Sequence, residues 1–302
     1  MATVATIRAF IRLSRLKFLL GGFLGFGLGA AIAHFDGVPL GWLLYLHGQV
    51  MVTAFHLMVH YANDYFDRSG DAVATRTPWS GGSGALVDGS LEPRTALGGA
   101  LACAAIGLAA AAAFAAEGKL LVAAIGLAIF VCAWAYSAPP LRLLARGFGE
   151  FDTALVIAIL FPLAGYATFA GTLGARALVS ALPSAAAMLV LMFCVEYPDV
   201  EADEENGKRN LVVRAGRSRA RAWIYAAIVA AYAATALAVV FGGASTMAIF
   251  AVLTIPLAWG IVEQLAAGEF GDARSDAELA ARGVAFFVTT VAGSTLAYVA
   301  VL

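Results

Sequence analysis

The stretch HYANDYFDRSGD, residues 60–71, follows a long apolar run and contains four acidic or amide side chains within nine positions: Asn63, Asp64, Asp67 and Asp71. Asn63, Asp67 and Asp71 are spaced by four residues, so on a helix they share one face, with a drift of about 40° per step. Carboxylates crowded at the end of an apolar helix repel one another and are costly to desolvate. The pattern therefore predicts a cation-binding site at the edge of a membrane.

The composition indicates which solvent surrounds most of the chain. Hydrophobic residues make up 62% of the 302 positions and charged residues 13%, against roughly 45–50% and about 25% in soluble domains. Several apolar runs approach the ~20 residues that cross a bilayer as a helix. The sequence therefore predicts an all-α, polytopic integral membrane protein, with a single domain over residues 1–302. Three scattered cysteines indicate neither a disulfide framework nor a zinc site.

Nine membrane-spanning helices are predicted. Their Gly-rich and Ala-rich composition suits a closely packed bundle, because small residues let helices approach each other in lipid. The approximate ranges are 17–35, 42–63, 95–115, 119–137, 151–171, 179–197, 221–241, 245–265 and 283–301.

The basic residues predict the orientation of these helices. With nine spans, 17 of the 19 Lys and Arg residues fall on one side, and only Lys119 and Arg176 fall on the other. The positive-inside rule then puts the N-terminus and the basic loops in the cytoplasm. The first apolar run, which ends in AIA before His34, is also compatible with a secretory signal. Its length favours a first membrane span.

A second acidic cluster, EYPDVEADEENGKRN, covers residues 196–210. Asp199 and Asp203 are again four residues apart, and Pro198 suits the first turn of a helix. Oxygen ligands without His or Cys favour magnesium, which completes its shell with water and phosphate oxygens. Two such clusters at one membrane surface predict an anionic ligand held between them through metal. The adjacent Lys208 and Arg209 fit a diphosphate. The alternative interpretation is that both segments are solvated acidic loops. Such loops would have no reason to repeat the four-residue spacing of their acids.

Three segments together resemble a known family. NDYFDRSGD (residues 63–71) matches the pattern NDxxDxxxD, DVEAD (199–203) matches DxxxD, and YSAPPLRLLARGFGE (136–150) is similar to the loop after the fourth span. Over nearly its whole length, the sequence resembles the UbiA superfamily of intramembrane prenyltransferases. That resemblance implies nine helices around a central, water-excluding cavity.

Within that superfamily, the sequence is most similar to the 1,4-dihydroxy-2-naphthoate prenyltransferases of menaquinone biosynthesis. DVEADEENGKRNLVVRAG (199–216) and SGGSGALVDGSLEP (80–93) carry this resemblance. Glu196, Tyr197 and Pro198 depart from the branch, which has amide, acidic and Arg residues there, and Leu16 replaces a Pro that often follows Arg15. Homogentisate, hydroxybenzoate and chlorophyllide therefore remain alternative acceptors.

The resemblance implies transfer of a polyprenyl group from an allylic diphosphate to an aromatic acceptor by magnesium-assisted ionisation, in a prokaryotic cytoplasmic membrane with the site on the cytoplasmic side. Asp67, Asp71, Asp199 and Asp203 would be catalytic, and these residues with Asn63 would hold two Mg²⁺ ions that bridge the diphosphate. The implied partners are the two substrates and the bilayer, without nucleic acid or a protein partner. The implied diphosphate-binding residues are Arg15, Asn63, Tyr136, Arg142, Lys208 and Arg209. Arg142 or Arg146 would neutralise an acceptor carboxylate.

Two other functions use the same residues. A terpene cyclase would ionise the same diphosphate but consume no acceptor. A cation transporter would use the acids for ion binding, but transporter sites lie near the bilayer midplane. His56 and His60 fit polar packing or acceptor contact better than a metal site. Glu150 and Asp152 are expected to cap the helix that they begin, and the acidic segment 269–283 is expected to form a solvated loop or short helix.

Overall fold

The structure, a computed structural model, describes residues 2–72, 79, 82–205, 209–268 and 272–301. Every regular element within these ranges is helical, which confirms the all-α prediction. The helices are α1 Ala2–Ser14, α2 Leu19–Phe35, α3 Trp42–Asp71, α4 Pro93–Ala116, α5 Leu120–Ala135, α6 Gly149–Leu155, α7 Phe161–Ala170, α8 Ala175–Glu196, α9 Val200–Glu205, α10 Leu211–Val240, α11 Met247–Val252, α12 Ile255–Ala267 and α13 Ala273–Val299. A π-helical turn, Val156–Leu160, joins α6 to α7.

The predicted membrane spans coincide with helices in the described part of the chain. Eight segments there are long and apolar enough to cross a bilayer, with α1 to α2, α6 to α7 and α11 to α12 each counted as one. The remaining predicted span corresponds to α5, which has only 16 residues. Many large apolar side chains lie on the outside of the bundle, for example Leu43 and Val229. The protein is therefore an integral membrane protein whose outer surface suits contact with lipid.

The length of α3 determines where the first acidic cluster lies. This helix has 30 residues, or about 45 Å at 1.5 Å per residue, whereas the hydrocarbon core of a bilayer is about 30 Å thick. Its last turns therefore extend beyond the apolar run. Asn63, Asp67 and Asp71 all belong to α3, as their spacing predicts.

Two parts of the structure differ from the sequence-based expectations. Of the solvated loop or short helix expected over 269–283, residues 273–283 are helical, but they form the first turns of α13 and not a separate short helix. The Asp272 side chain accepts the backbone N–H of Ser275 and caps this helix, and such a cap starts a helix earlier than hydropathy alone would. The helix α1 also precedes the first predicted span. The chain breaks between α1 and α2 at Arg15, which has a positive φ of 45°.

Two apolar clusters of buried side chains form the interior of the bundle. The helices α2 and α7 belong to both clusters and pack closely against each other. At Gly165 a Cβ atom would overlap the backbone carbonyl of Phe26, and at Gly29 it would overlap the carbonyl of Pro162. Glycine is required at both positions because two helix backbones approach each other there.

We expect Gly165→Ala to lower the melting temperature of the purified protein. The added methyl group has only backbone against it, and overpacking of this kind typically costs about 1–3 kcal/mol. Gly98→Ala is the matched control, since Gly98 lies in α4 with no heavy atom within 4 Å of an added Cβ. Thermal unfolding in detergent measures both variants. Equal melting temperatures for the two would contradict this packing.

Candidate functional site

One large cavity lies between the two apolar clusters. It has a volume of about 490 Å³ and is lined by residues from α2, α3, α5, α6, α8, α13 and the segments that join them. Acidic and basic side chains line the region near the C-terminal ends of α3 and α8. Apolar side chains such as Val59, Met188, Leu191 and Phe287 line the rest. The cavity therefore offers a charged end and an apolar interior to a single ligand.

The structure brings the sequence-predicted site residues to this cavity. Nine of the ten line it; the tenth, Lys208, lies outside the described residues. The nine are Arg15, Asn63, Asp67, Asp71, Tyr136, Arg142, Asp199, Asp203 and Arg209. Arg146, by contrast, donates a hydrogen bond to the carbonyl of Pro140 at 3.0 Å.

Hydrogen bonds between α3 and the chain after α5 fix the first acidic cluster. The Asn63 side-chain amide donates to Asp67 Oδ2 at 2.5 Å and to Ser137 Oγ at 3.0 Å. The Ser137 hydroxyl in turn donates to Asp67 Oδ2 at 3.1 Å. Arg142, held with a positive φ of 46°, brings a guanidinium nitrogen to 3.9 Å from Asp67 Oδ1. The orientation of the Asp67 carboxylate is thus set by contacts from α3 and from the segment that follows α5.

A buried ion pair lies directly behind this cluster. The Arg15 guanidinium pairs with Asp64 and also donates to Asn63 Oδ1 at 3.1 Å. Only 3% of the Asp64 side chain is exposed, and its carboxylate also accepts hydrogen bonds from the backbone N–H and hydroxyl of Ser83. Asp64 therefore holds the start of α2 and the loop after α3 against the acidic face.

The same loop is fixed on its outer side by Asp88. The Asp88 carboxylate accepts a hydrogen bond from the Ser90 hydroxyl at 2.5 Å and pairs with Arg12 of α1 at 2.8 Å. The Ser90 hydrogen bond, followed by the one from Arg12, lowers the pKa of Asp88 to about 2. Asp88 is consequently ionised at neutral pH, and the contact between the loop and α1 persists there.

The second acidic cluster is held by the start of α10. Asp199 precedes α9, and its carbonyl accepts the Asp203 N–H at 2.7 Å. Asp203 accepts a hydrogen bond from the Asn210 side-chain amide at 3.1 Å, while Asn210 caps α10 through the Val213 N–H at 2.8 Å. The α10 helix is interrupted at Gly216, which has a φ of 71°. The N-cap of α10, Asn210, thus belongs to the site.

Glu150 also contributes to this arrangement, in a way that the sequence-based expectation does not describe. It lies in the first turn of α6, as expected, but its Oε1 accepts the backbone N–H of Leu211 at 2.7 Å. Glu150 is fully buried. It therefore fixes the start of α10 against α6, and so positions Asn210 and Asp203.

The donor set of the cavity fits magnesium. Carboxylate and amide oxygens are the groups that this ion prefers, and it usually takes only one or two carboxylates from a protein. Among the described residues, no three His, Cys, Asp or Glu side chains are grouped closely enough to hold a metal ion by themselves. The clusters on α3 and α9 are thus suited to ions that also take oxygens from a bound ligand.

Several residues that line or support the cavity were not assigned a site role from the sequence. Asp64 and Ser137 lie inside the quoted motifs, so position within the motif was an available signal for both. Asn210 follows the second cluster directly and has the residue type of a helix cap. Glu196 and Asp152 line the cavity from α8 and α6. No pattern in the sequence distinguishes these two from the other acids near the membrane surface.

The fold and the site define a polytopic membrane protein with an acid-rich cavity inside a helical bundle. The chain belongs to the UbiA prenyltransferase family, whose family model matches residues 22–291. This match confirms the resemblance seen in the sequence and identifies the protein as a prenyltransferase enzyme.

Two relatives and one solved structure illustrate the similarity. The chain is 24% identical to the 1,4-dihydroxy-2-naphthoate octaprenyltransferase of Bacillus subtilis (strain 168), over 81% of this chain and 78% of the relative. It is 25% identical to the 2-carboxy-1,4-naphthoquinone phytyltransferase of Synechocystis sp., over 49% and 47%. A UbiA homologue from Archaeoglobus fulgidus bound to GPP and Mg²⁺ has the same fold, with a TM-score of 0.65 and 18% identity over 93% of this chain and 99% of the homologue.

We expect Ser137→Ala to lower turnover about tenfold, without loss of folded protein. The substitution removes two hydrogen bonds that orient Asn63 and Asp67, each worth about 0.5–1.5 kcal/mol net. Turnover of prenyl diphosphate and the elution profile of the purified variant measure the two effects. Ser245→Ala, at an exposed serine before α11, serves as the control. Turnover equal to that of the control would show that Ser137 does not orient the cluster.

Proposed function

We propose that the protein transfers a polyprenyl group from an allylic prenyl diphosphate to 1,4-dihydroxy-2-naphthoate, with Mg²⁺ as the cofactor. The observation that carries this proposal is the meeting of two acidic clusters, from α3 and from the segment around α9, at the charged end of one cavity whose remaining wall is apolar. A diphosphate with an apolar tail has the same division between a charged head and an apolar body.

In this proposal, both acidic clusters act on the diphosphate. Two magnesium ions would be held by Asn63, Asp67, Asp71, Asp199 and Asp203. When bound, they would supply Lewis-acid stabilisation of the negative charge that develops on the leaving diphosphate. The remaining charge would be neutralised by three side chains of the same cavity, Arg15, Arg142 and Arg209, and by Lys208, which precedes Arg209 in the sequence. The Tyr136 side chain also lines this cavity, and its hydroxyl would donate a hydrogen bond to a phosphate oxygen.

The apolar part of the cavity receives the prenyl tail and protects the allylic carbon. Phe18, Val59, Ile157 and Phe161 line this region, and none of these side chains can deliver a nucleophile. Exclusion of water matters because an allylic cation would otherwise be captured as the alcohol. The electron-rich acceptor ring is then the group that reacts with it.

The relatives support the choice of acceptor. Both named relatives act, by their names, on a bicyclic naphthoate or carboxynaphthoquinone, while their prenyl groups differ, one octaprenyl and one phytyl. A shared acceptor class among relatives with different tails favours a naphthoate here and leaves the tail length open. The charge distribution supports a cytoplasmic active site, since the basic residues and both acidic clusters fall on the same predicted side.

We expect activity to be lost in excess chelator and restored by added magnesium. Asp67→Asn and Asp199→Asn should each lower turnover by about 10²–10³, the usual effect of losing one electrostatic contact to the transition state. They should also raise the magnesium concentration that gives half-maximal rate. Glu117→Gln is the control, because Glu117 is exposed after α4, away from the cavity. Full activity in chelator would refute the role of the clusters.

The acceptor is tested by product mass. Membranes that contain the protein are incubated with 1,4-dihydroxy-2-naphthoate and, in turn, geranyl, farnesyl, geranylgeranyl and octaprenyl diphosphate. We expect a prenylated naphthoquinol without the carboxyl group, together with released carbon dioxide, and no product from the Asp67→Asn variant. Consumption of hydroxybenzoate, homogentisate or chlorophyllide instead would replace the acceptor. A cyclic hydrocarbon formed from the diphosphate alone would identify a cyclase.

A further inference from the structure

Two histidines of α3 line the cavity just inside the charged end. His60 precedes Asn63 by three residues and His56 precedes it by seven, which is about 4.5 Å and 10 Å along the helix axis. Both side chains are more than nine-tenths buried, and both line the same cavity as the acids. The two histidines thus lie between the residues proposed to bind the diphosphate and the apolar part of the cavity.

The hydrogen bonding of His60 determines which of its nitrogens carries the proton. His60 Nδ1 lies 2.9 Å from the backbone carbonyl oxygen of Ser14. A carbonyl oxygen can only accept, so Nδ1 is the donor in the neutral ring. The Nε2 atom of His60 is then left with a lone pair. His60 therefore offers a hydrogen-bond acceptor to a ligand in the cavity.

The packing of His56 indicates the opposite tautomer. Its Nδ1 atom is buried without a hydrogen-bond partner and lies against Gly22, where a Cβ atom would approach it to 2.8 Å. A buried N–H without a partner is rarer and more costly than a buried lone pair, so the proton of the neutral ring belongs on Nε2. His56 therefore offers a donor, one helical turn from the acceptor of His60.

The two rings are close enough to act on one group. They meet edge to face with ring centroids 4.8 Å apart. A phenolic hydroxyl donates one hydrogen bond and also accepts. We propose that His56 and His60 form the subsite for a ring hydroxyl of the aromatic acceptor, which donates to His60 Nε2 and accepts from His56 Nε2–H. This inference rests on the proposed function and adds the residues that recognise the acceptor.

His47 shows what a purely structural histidine on the same helix looks like. Its Nε2 bonds to the Ala110 carbonyl at 3.0 Å, and its ring stacks on Phe114 with centroids 3.9 Å apart. These contacts attach α3 to α4, outside the cavity. His47→Asn is therefore a matched control, with the same chemical change on the same helix.

The test separates acceptor binding from donor binding. In His60→Asn the amide nitrogen remains able to donate to Ser14, but no atom replaces Nε2; in His60→Gln an amide oxygen can reach that position. We expect His60→Asn to raise KM for 1,4-dihydroxy-2-naphthoate about tenfold, the effect of one lost hydrogen bond. KM for the prenyl diphosphate that wild type uses fastest should change less than twofold. His60→Gln should recover most of the acceptor affinity.

A second measurement identifies the hydroxyl. The inhibitors 1-hydroxy-2-naphthoate and 4-hydroxy-2-naphthoate each lack one hydroxyl of the acceptor. We expect wild type and His47→Asn to bind one of them about tenfold more tightly than the other, because a buried polar group left without its partner is costly. His60→Asn should reduce this ratio toward one, which a loss of packing would not do.

Two results would overturn the subsite. One is an unchanged acceptor KM in His60→Asn; the other is an equal rise in both KM values with the inhibitor ratio intact, which would make His60 a packing residue. A wild-type protein that consumes no aromatic acceptor would instead show that the proposed function has failed, and the subsite with it.

Discussion

The buried ion pair between Arg15 and Asp64 is the interaction on which the rest of the site depends. Removing either partner would leave an uncompensated charge in a water-poor interior, which is typically far more costly than the net worth of the pair. Here both charges have additional partners, Asn63 for Arg15 and Ser83 for Asp64. The pair thereby fixes the break between α1 and α2, the end of α3 and the loop that follows α3. Asn63 and Asp67 are oriented from that fixed point.

The parts of the fold that could be predicted from sequence are those set by composition and local spacing. Apolar run length locates the spans, because lipid requires every backbone polar group to be satisfied within a helix. The spacing of Asn63, Asp67 and Asp71 predicts their common face, because α3 continues unbroken through them. The α1 helix and the early start of α13 were missed for a different reason. The positive φ of Arg15 separates α1 from α2, and the Asp272 cap sets the start of α13. A hydropathy profile contains no information about either feature.

Contacts between distant segments were the least predictable part of the site. Ser137 reaches Asn63 and Asp67 across 74 and 70 residues, and Glu150 caps a helix that begins at Leu211. Neither contact follows from the residue type, since a serine in a turn and a glutamate at a helix start each have a sufficient local explanation. What the paired motifs do predict is that both acidic clusters lie on one side of the membrane. The packing of α6 against α8 and the Glu150 hydrogen bond to the start of α10 then determine how they share one cavity.

Polarity changes in steps along a single helix. From its C-terminal end inward, the cavity face of α3 presents the carboxylates of Asp71 and Asp67, the amide of Asn63, the imidazoles of His60 and His56 with Val59 between them, and the ring of Phe55. A charged head group is most stable at the first of these steps and an apolar tail at the last, because desolvation penalises each elsewhere. Neutral hydrogen-bonding groups in the middle suit a ligand that is neither fully charged nor apolar there. An aromatic ring with a hydroxyl group meets that condition, so along α3 the groups suited to the diphosphate come first, those suited to a phenolic acceptor next and those suited to the tail last.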